Sequence, residues 1–290
     1  MTRRILRVFV VLGAAAFAFF AYAYLTLPDV RTLATTNPGS TAFMRIRAEE
    51  ARRDGKKLRH VHRWVPYSRI SRNLTRAVIV TEDAAFWDHE GIDLEAIRDA
   101  IETGLERGVF RGASTITQQL AKNLYLSESQ DPVRKLRELI IARRLEAALS
   151  KARILEIYLN VVEWGDGVWG AEAAARTYFG VSAAALSRNQ AALLAGALIN
   201  PRVYSPARPP SRLLRRQRII LARMGGVVLP APPSVIVPPS LIASPDGATG
   251  PADELDSAPA STDEDVSGDG NPEVTAPDAS APAAEVPTPQ

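Results

Sequence analysis

The chain has 290 residues, among them 35 Lys and Arg, 32 Asp and Glu, three His and no Cys. The lack of cysteine excludes disulfides and thiolate metal sites, and three histidines leave little for a histidine-based metal centre. All the cations lie at or before Arg223, whereas eleven of the acids follow it, so a basic body precedes an acidic tail. A basic body is typical of a protein with an anionic partner, which leaves nucleic acid, a phosphate-bearing substrate or an acidic membrane surface open.

A run of 20 residues without a charge, 8–27, follows three arginines near the N-terminus. As a helix this run would be about 30 Å long, enough to cross the hydrocarbon core of a bilayer. The positive-inside rule predicts that residues 1–7 form a cytoplasmic stub and that the chain after the run lies outside. A cleaved signal peptide is the alternative, because Ala21-Tyr22-Ala23 resembles a cleavage site. Both interpretations export the protein.

Two segments flank the predicted body. Residues 28–66 read as a basic juxtamembrane connector, either attracted to anionic lipid or simply solvated. Residues 226–290 are rich in Pro, Ala, Ser, Asp and Glu and contain no aromatic residue, so they cannot bury enough apolar surface to offset their ordering entropy. We therefore predict a disordered tail without chemistry, and a folded body at 67–225 large enough for one core.

The first candidate site residues follow an apolar run, Ala77 to Val80. Glu82 and Asp83 come just past it, after Thr81, and Phe86 and His89 follow. Partial burial against apolar surface would raise the pKa of Glu82 toward a value useful to a general base. A charged loop after a core segment is the alternative.

Apolar periodicity predicts a mainly helical body, because no strand-like alternation exceeds a few residues. Ser114 is the expected N-cap of one helix, and Pro132 is expected to start the next. Further helices are predicted at 93–106, 151–160, 165–179, 181–198 and 211–224.

Two helices carry polar residues at suggestive spacings. Four polar side chains share one face of the helix after Ser114: Thr115, Gln118, Gln119 and Lys122. If this face points into the protein, its amides and its lysine could bind sugars and phosphates. If it points outward, it is a common solvent-exposed polar helix face. On the next helix, Arg134, Lys135 and Glu138 form either a helix salt bridge or a second active-site carboxylate beside a diphosphate clamp.

Four sequence blocks occur in register along the body. They are Glu82-Asp83-x-x-Phe86-x-x-His89-x-Gly91, Gly112-x-Ser114-Thr115-x-x-Gln118-Gln119-x-x-Lys122-Asn123, Arg134-Lys135-x-x-Glu138 and Lys151-x-x-Ile154-Leu155-Glu156-x-Tyr158-Leu159-Asn160. From about Tyr67 to Met224 the chain resembles the peptidoglycan glycosyltransferases, in particular the monofunctional, membrane-anchored biosynthetic kind. No Ser-x-x-Lys or Lys-Thr-Gly triplet of a transpeptidase domain appears.

The resemblance implies a mainly α, lysozyme-like, bilobed body at 67–225 whose smaller lobe dips into the membrane. It implies polymerisation of lipid II, with inversion at the anomeric carbon and release of undecaprenyl diphosphate. The implied partners are lipid II, the lipid-linked glycan chain, the membrane and other cell-wall synthesis proteins, and no nucleic acid. The implied location is the bacterial inner membrane, with a single span and the catalytic domain on the external side.

The resemblance also implies a role for each candidate residue. Glu82 would be the general base, and Glu138 the second carboxylate on the donor side. Lys122, Arg134 and Lys135 would bind the diphosphate. Sugar and phosphate would be oriented by Ser114, Thr115, Gln118, Gln119 and Asn123, and the first site would be shaped by Asp83, Phe86 and His89.

Two features qualify this assignment. Gln130 stands where the family often has an arginine that contacts the diphosphate, so one anionic contact would be missing or come from elsewhere. No cofactor is required by the sequence and no residue cluster marks a metal site, although Mg²⁺ or Mn²⁺ could assist at the diphosphate.

Two rival functions remain open. A lysozyme-like enzyme that cleaves glycan would use two carboxylates, but it has no diphosphate for the cations to bind. A non-catalytic membrane scaffold would not need Glu82 and Glu138.

Overall fold

The computed structural model describes residues 2–107, 112–129, 131–226 and 229. This part of the chain is mainly helical, as predicted. Its α-helices are α1 (Thr2–Leu25), α2 (Ala42–Arg53), α3 (Arg72–Glu82), α4 (Leu94–Arg107), α5 (Ile116–Tyr125), α6 (Pro132–Ala148), α7 (Lys151–Val161), α8 (Ala171–Phe179), α9 (Arg188–Ala197) and α10 (Ser211–Arg223). Its strands are β1 (Val61–His62), β2 (Glu163–Gly165) and β3 (Val168–Trp169).

The helix ends follow local sequence signals. The Asp131 side chain accepts a hydrogen bond from the backbone N–H of Arg134, and Pro132 occupies the first turn of α6, as predicted. At α5 the prediction was wrong by one residue: the cap is Thr115, whose hydroxyl accepts from the backbone N–H of Gln118, and not Ser114. A glycine cap ends α8, where Gly180 has φ 68°.

The predicted helices at 165–179 and 181–198 are both too long at their N-terminal ends. Residues 163–169 form a short hairpin instead, with Gly167 at φ 67° in its turn, and α8 begins only after Gly170. A Cβ on Gly170 would lie 2.6 Å from the carbonyl oxygen of Asn160, so this close approach requires glycine. The second range contains a 3₁₀ turn at Ala183–Ala185 before α9.

A small three-stranded sheet links the predicted connector, which contains β1, to the body, which contains β2 and β3. Its order is β1-β3-β2, with β1 parallel and β2 antiparallel to β3. The partners of Trp169 are His62 on one side and Glu163 on the other. Phe43 and Met44 of α2 also pack on Trp169. The stretch predicted as a connector therefore packs against the body.

The main core surrounds α3. This helix packs on α9 and α10, while α5 packs on α6 and α7. Leu74, Ala77, Val78 and Ile79 of α3 are fully buried. Because α3 is held on its apolar faces, its last residue, Glu82, has a fixed position at the edge of the core.

Two helices keep apolar side chains exposed. Residues Arg3–Tyr22 of α1 are long and apolar enough to span a membrane. On α4, Leu94, Ile101 and Leu105 are 73%, 52% and 78% exposed. Water is an unfavourable environment for such a row on one helix, so α4 has a surface suited to an apolar partner.

Several predicted features lie outside the described residues. They are Gln130, residues 108–111 of the loop after α4, and the predicted tail apart from Gly226 and Leu229. Leu229 itself belongs to the main core with 6% exposure, and Arg72 donates a hydrogen bond to its carbonyl at 3.3 Å.

Candidate active site

An open cleft of about 490 Å³ lies where α2, α3, α5 and α6 meet. Its lining includes eight of the residues predicted for the site: Glu82, Ser114, Gln119, Lys122, Asn123, Arg134, Lys135 and Glu138. Residues separated by more than 50 positions in the chain therefore share one surface, as a catalytic site requires.

Glu82 enters the cleft from the C-terminal end of α3. The side-chain amide nitrogen of Gln119 donates to Glu82 Oε2 at 3.0 Å. Burial raises the pKa of the Glu82 carboxyl, and Asp83 adds to this effect, whereas the Gln119 hydrogen bond and the charge of Arg216 lower it. A carboxylate with a raised pKa at the edge of a cleft is suited to accept a proton near neutral pH.

Glu138 occupies a different environment on α6. It is only 3% exposed, and its two oxygens accept from Arg134 Nη1 at 2.6 Å and Lys135 Nζ at 2.5 Å. The helix salt bridge of the first alternative is therefore present, but its carboxylate is buried at the cleft wall and not on the open surface. Lys135 Nζ also donates to Gln118 Oε1 at 3.1 Å and Ser114 Oγ at 3.3 Å, which fixes its position.

Lys122 projects from α5 into the same cleft. Its Nζ lies 5.4 Å from the centroid of the Phe43 ring, a cation–π contact with α2. Among the described residues it has no carboxylate within ion-pair distance. Lys122 is therefore a cation whose charge can be neutralised by a bound anion. Asn123, one residue further, donates to the backbone carbonyl of Gln119 at 2.9 Å.

Thr115 and Gln118 lie behind the cleft wall. They are 2% and 1% exposed, and both donate to the carbonyl oxygen of Gly91, at 2.7 and 3.2 Å. The predicted polar face of α5 is thus divided between two roles. Gln119 and Lys122 face the cleft, whereas Thr115 and Gln118 tie α5 to the loop after α3.

The residues Asp83, Phe86 and His89 also lie behind the cleft. Phe86 is fully buried, and Asp83 is 7% exposed. Asp83 Oδ2 accepts from the backbone N–H of Ile116 at 2.9 Å, which anchors the start of α5. Asp83 therefore ties the end of α3 to the start of α5 behind the cleft.

Asp83, His89 and Asp93 lie close enough together to offer ligand atoms to a metal. His89 Nδ1, however, accepts from the backbone N–H of Gly91 at 3.1 Å, so the neutral ring carries its proton on Nε2. That nitrogen pairs with Asp83 Oδ1 at 2.9 Å. Both ring nitrogens therefore have protein partners, and the group is a hydrogen-bond network.

Sequence reasoning did not assign the other eight lining residues to the site, and four of these have aromatic or charged side chains: Phe43, Arg47, Glu128 and Glu163. Arg47 of α2 pairs with Glu128 at 2.7 Å and with Glu163, which is 5% exposed, at 3.1 Å. The sequence signals were the spacing of Phe43 and Arg47, which places them on one face of a helix, and the block Glu163-Trp164-Gly165-Asp166-Gly167, which resembles the monofunctional subgroup.

In the sequence, Tyr158 was noted only as part of the block that begins at Lys151, without a role of its own. It is fully buried on α7, and its hydroxyl donates to Gln119 Oε1 at 2.8 Å. It thus stands directly behind the amide that contacts Glu82.

The chain is similar to known proteins over most of its length. A sequence model of the family described as Transglycosylase matches residues 49–225. Proteins named biosynthetic peptidoglycan transglycosylase from Chromobacterium violaceum and Nitrosospira multiformis are both 48% identical, over 77% and 73% of this chain and 98% and 92% of their own. A protein of the same name from Janthinobacterium sp. is 52% identical over 67% of this chain and 84% of its own. Phe43 and Arg47 precede the range of the family match.

Proposed function

Because the chain belongs to the transglycosylase family, it is a peptidoglycan glycosyltransferase that polymerises glycan strands, and we propose that Glu82 is its general base. The substrates are lipid II and the lipid-linked growing chain. The 4-hydroxyl of an acceptor lipid II attacks the anomeric carbon of the donor chain, with inversion. The bond from that carbon to the diphosphate oxygen breaks, and undecaprenyl diphosphate leaves.

One observation carries this assignment: a single cleft holds a carboxylate with a raised pKa and, besides the ion-paired Arg47, three cations predicted to bind the diphosphate. Glu82 receives the proton of the attacking hydroxyl. Lys122, Arg134 and Lys135 neutralise the negative charge that develops on the departing diphosphate. A diphosphate held by cations leaves without a proton from a general acid, so no protonated carboxyl group is needed.

Glu138 acts on the donor side through the cations. Its two short ion pairs fix Arg134 and Lys135 in place while compensating part of their charge. The cleft's own basic residues supply positive charge at the diphosphate, and Mg²⁺ or Mn²⁺ could add to it.

The membrane arrangement is also proposed from exposed apolar surface. The span in α1 would anchor the chain in the bacterial inner membrane, with the catalytic body on the external side. In a lysozyme-like, bilobed body, α4 would belong to the smaller lobe, and its exposed Leu94, Ile101 and Leu105 would enter the lipid. Substrate and enzyme would then meet at the membrane surface.

The rival glycan-cleaving activity is tested with the purified full-length chain. With lipid II as the only substrate, we expect glycan polymer on a gel and release of undecaprenyl diphosphate. With isolated cell-wall sacculi we expect no soluble fragments. Fragments from sacculi without polymer from lipid II would contradict the proposed function.

A further inference from the structure

A chain of two hydrogen bonds runs from the core to the proposed base. Tyr158 of α7 donates to Gln119 Oε1 of α5 at 2.8 Å, and Gln119 Nε2 donates to Glu82 Oε2 of α3 at 3.0 Å. Three helices therefore converge on one amide group. Among the described residues, Tyr158 is the one side chain bonded to the amide oxygen of Gln119.

The orientation of this amide matters for the charge on Glu82. With its nitrogen toward Glu82, the amide stabilises the ionised carboxylate. Rotated by half a turn, it would present its oxygen, which repels a carboxylate and accepts a hydrogen bond from a protonated one. The two orientations therefore favour opposite protonation states of the base.

The Tyr158 hydroxyl selects between these orientations. Burial raises the pKa of Tyr158 well above its ordinary value, and the negative charges of Glu82 and Asp83 add to this. The hydroxyl therefore keeps its proton at any pH at which the enzyme works. A buried hydroxyl that retains its proton donates it most favourably to the amide oxygen, which directs the amide nitrogen toward Glu82.

The other charged groups around Glu82 do not orient the amide. Asp83 follows it on α3, and Arg216 of α10 acts on it through its charge. Lys122 on α5 and the ion-paired Glu138, Arg134 and Lys135 on α6 line the same cleft. Arg47 of α2, paired with Glu128 and Glu163, lines it as well.

We infer that Tyr158 is a positioning residue for the reaction: its hydroxyl holds Gln119 as the hydrogen-bond donor that keeps Glu82 ionised and ready to accept a proton. This inference rests on the proposed role of Glu82 as the base. Tyr158 itself is too deeply buried to touch the substrate.

The test is the rate of lipid II polymerisation by the full-length chain as a function of pH. In Tyr158→Phe the ring still fills the core but the amide loses its fixed orientation. The acid limb of the pH profile of kcat/KM, where activity falls as Glu82 becomes protonated, should move to higher pH. The expected shift is about half a unit to one unit, which corresponds to the free energy of one ordinary hydrogen bond. At a pH well above the limb, KM and the maximal rate should stay close to wild type.

A matched control is Tyr178→Phe, which removes a hydroxyl that donates to the carbonyl of Trp164 at 3.3 Å, outside the cleft. Its acid limb should coincide with that of wild type. A second test incorporates 3-fluorotyrosine at position 158, which keeps the hydroxyl but makes it a stronger donor. The acid limb should then move to lower pH, opposite to the phenylalanine variant.

A double-mutant cycle asks whether Tyr158 acts through Gln119. In a Gln119→Leu background, adding Tyr158→Phe should move the acid limb no further. A further shift of the same size would overturn the inference.

Other outcomes also decide the matter. A folded Tyr158→Phe variant with an unmoved acid limb, or with an equal loss of rate at every pH, would show that the residue only packs. If Tyr158→Phe fails to fold, the fluorotyrosine protein decides, and an unmoved limb there overturns the inference. Failure of the proposed function looks different: Glu82→Gln would then polymerise lipid II normally.

Discussion

Glu82 and Glu138 are both carboxylates of one cleft, yet their partners suit them to different tasks. Glu138 accepts from two cations, and each oxygen is occupied by a short ion pair. Glu82 accepts from one neutral amide, and burial raises its pKa. Two carboxylates in contrasting environments are a common arrangement in enzymes that transfer glycosyl groups, because one must hold charge while the other exchanges a proton.

The raised pKa of Glu82 has a consequence for stability. The folded state binds the Glu82 proton more tightly than the unfolded state, so this residue favours folding below its unfolded pKa. That contribution is lost as the pH rises through the folded pKa. We therefore expect Glu82→Gln to raise the melting temperature at neutral pH, by a few degrees. The difference from wild type should shrink toward zero near pH 4.

Thermal unfolding of both proteins across this pH range is the measurement. A fully exposed acid offers a control, and Asp54→Asn on the surface after α2 should show no comparable gain at neutral pH. A neutral-pH melting temperature of Glu82→Gln well below that of wild type would contradict the account of a buried, disfavoured charge.

At the scale of single elements, α2 forms one wall of the cleft, which was not predicted from the sequence. Arg47 is the cation that compensates Glu163, which is 5% exposed. We expect Arg47→Met to destabilise the fold by about 3 kcal/mol, because it leaves a buried carboxylate without its partner. Denaturant unfolding measures this change. Arg45→Met, at an exposed position of the same helix, should stay within about 0.5 kcal/mol of wild type.

The double variant Arg47→Met with Glu163→Gln should recover part of the loss, since the unpaired charge is then gone. No recovery would indicate that Arg47 acts through packing.

Element prediction from the sequence succeeded where the signals are local. The start of α6 at Pro132 and the end of α8 at Gly180 follow from proline and glycine preferences of single residues. The hairpin at 163–169 was missed although its turn, Asp166-Gly167, with Gly167 at φ 67°, is a local signal. The start of α8 depends instead on the contact of Gly170 with the Asn160 carbonyl, ten residues away, which periodicity cannot supply.

The sequence predicted which residues belong to the site, but not which of them face the cleft and which are buried behind its wall. The spacing of Thr115, Gln118, Gln119 and Lys122 shows that they share a face of a helix. It does not show that the Gly91 carbonyl binds two of them behind the wall. Arg47 was unpredictable for a related reason: its partner Glu163 is 116 residues away.

The exposed face of α4 allows a direct test of membrane contact. The chain has no cysteine, so Leu105→Cys can be labelled at one place with an environment-sensitive fluorophore. In proteoliposomes we expect a blue-shifted emission that lipid-borne quenchers reduce. Leu58→Cys, at a position 46% exposed in the segment before β1, is the control and should report water. A label at position 105 that also reports water would contradict the proposed membrane contact.

At the scale of the whole molecule, the C-terminal end of the body lies beyond α10. Leu229 is buried in the main core. A chain that ends after Val227 should lose about 1.5–3 kcal/mol of stability with this side chain. A chain that ends after Val235 should keep the melting temperature of the full protein, and its polymerisation rate should stay within a few-fold.

Calorimetry of the two truncated proteins is the measurement. Equal melting temperatures for both would show that Leu229 contributes nothing. A collapse of the longer one would show that the acidic segment is part of the fold.

In the proposed mechanism, different residues of the cleft accept the proton and bind the diphosphate. Lys122→Ala removes a cation that has no carboxylate partner among the described residues, so donor affinity and turnover should both fall. Glu82→Gln keeps the shape of the side chain but removes its ability to accept the proton.

The most direct measurement is lipid II polymerisation by Glu82→Gln, made alongside its affinity for a non-reactive, diphosphate-bearing donor analogue. We expect nearly normal affinity and a rate about 10²–10⁴-fold below wild type. Polymerisation by Glu82→Gln at a rate close to wild type would contradict the assignment of the base and the mechanism built on it.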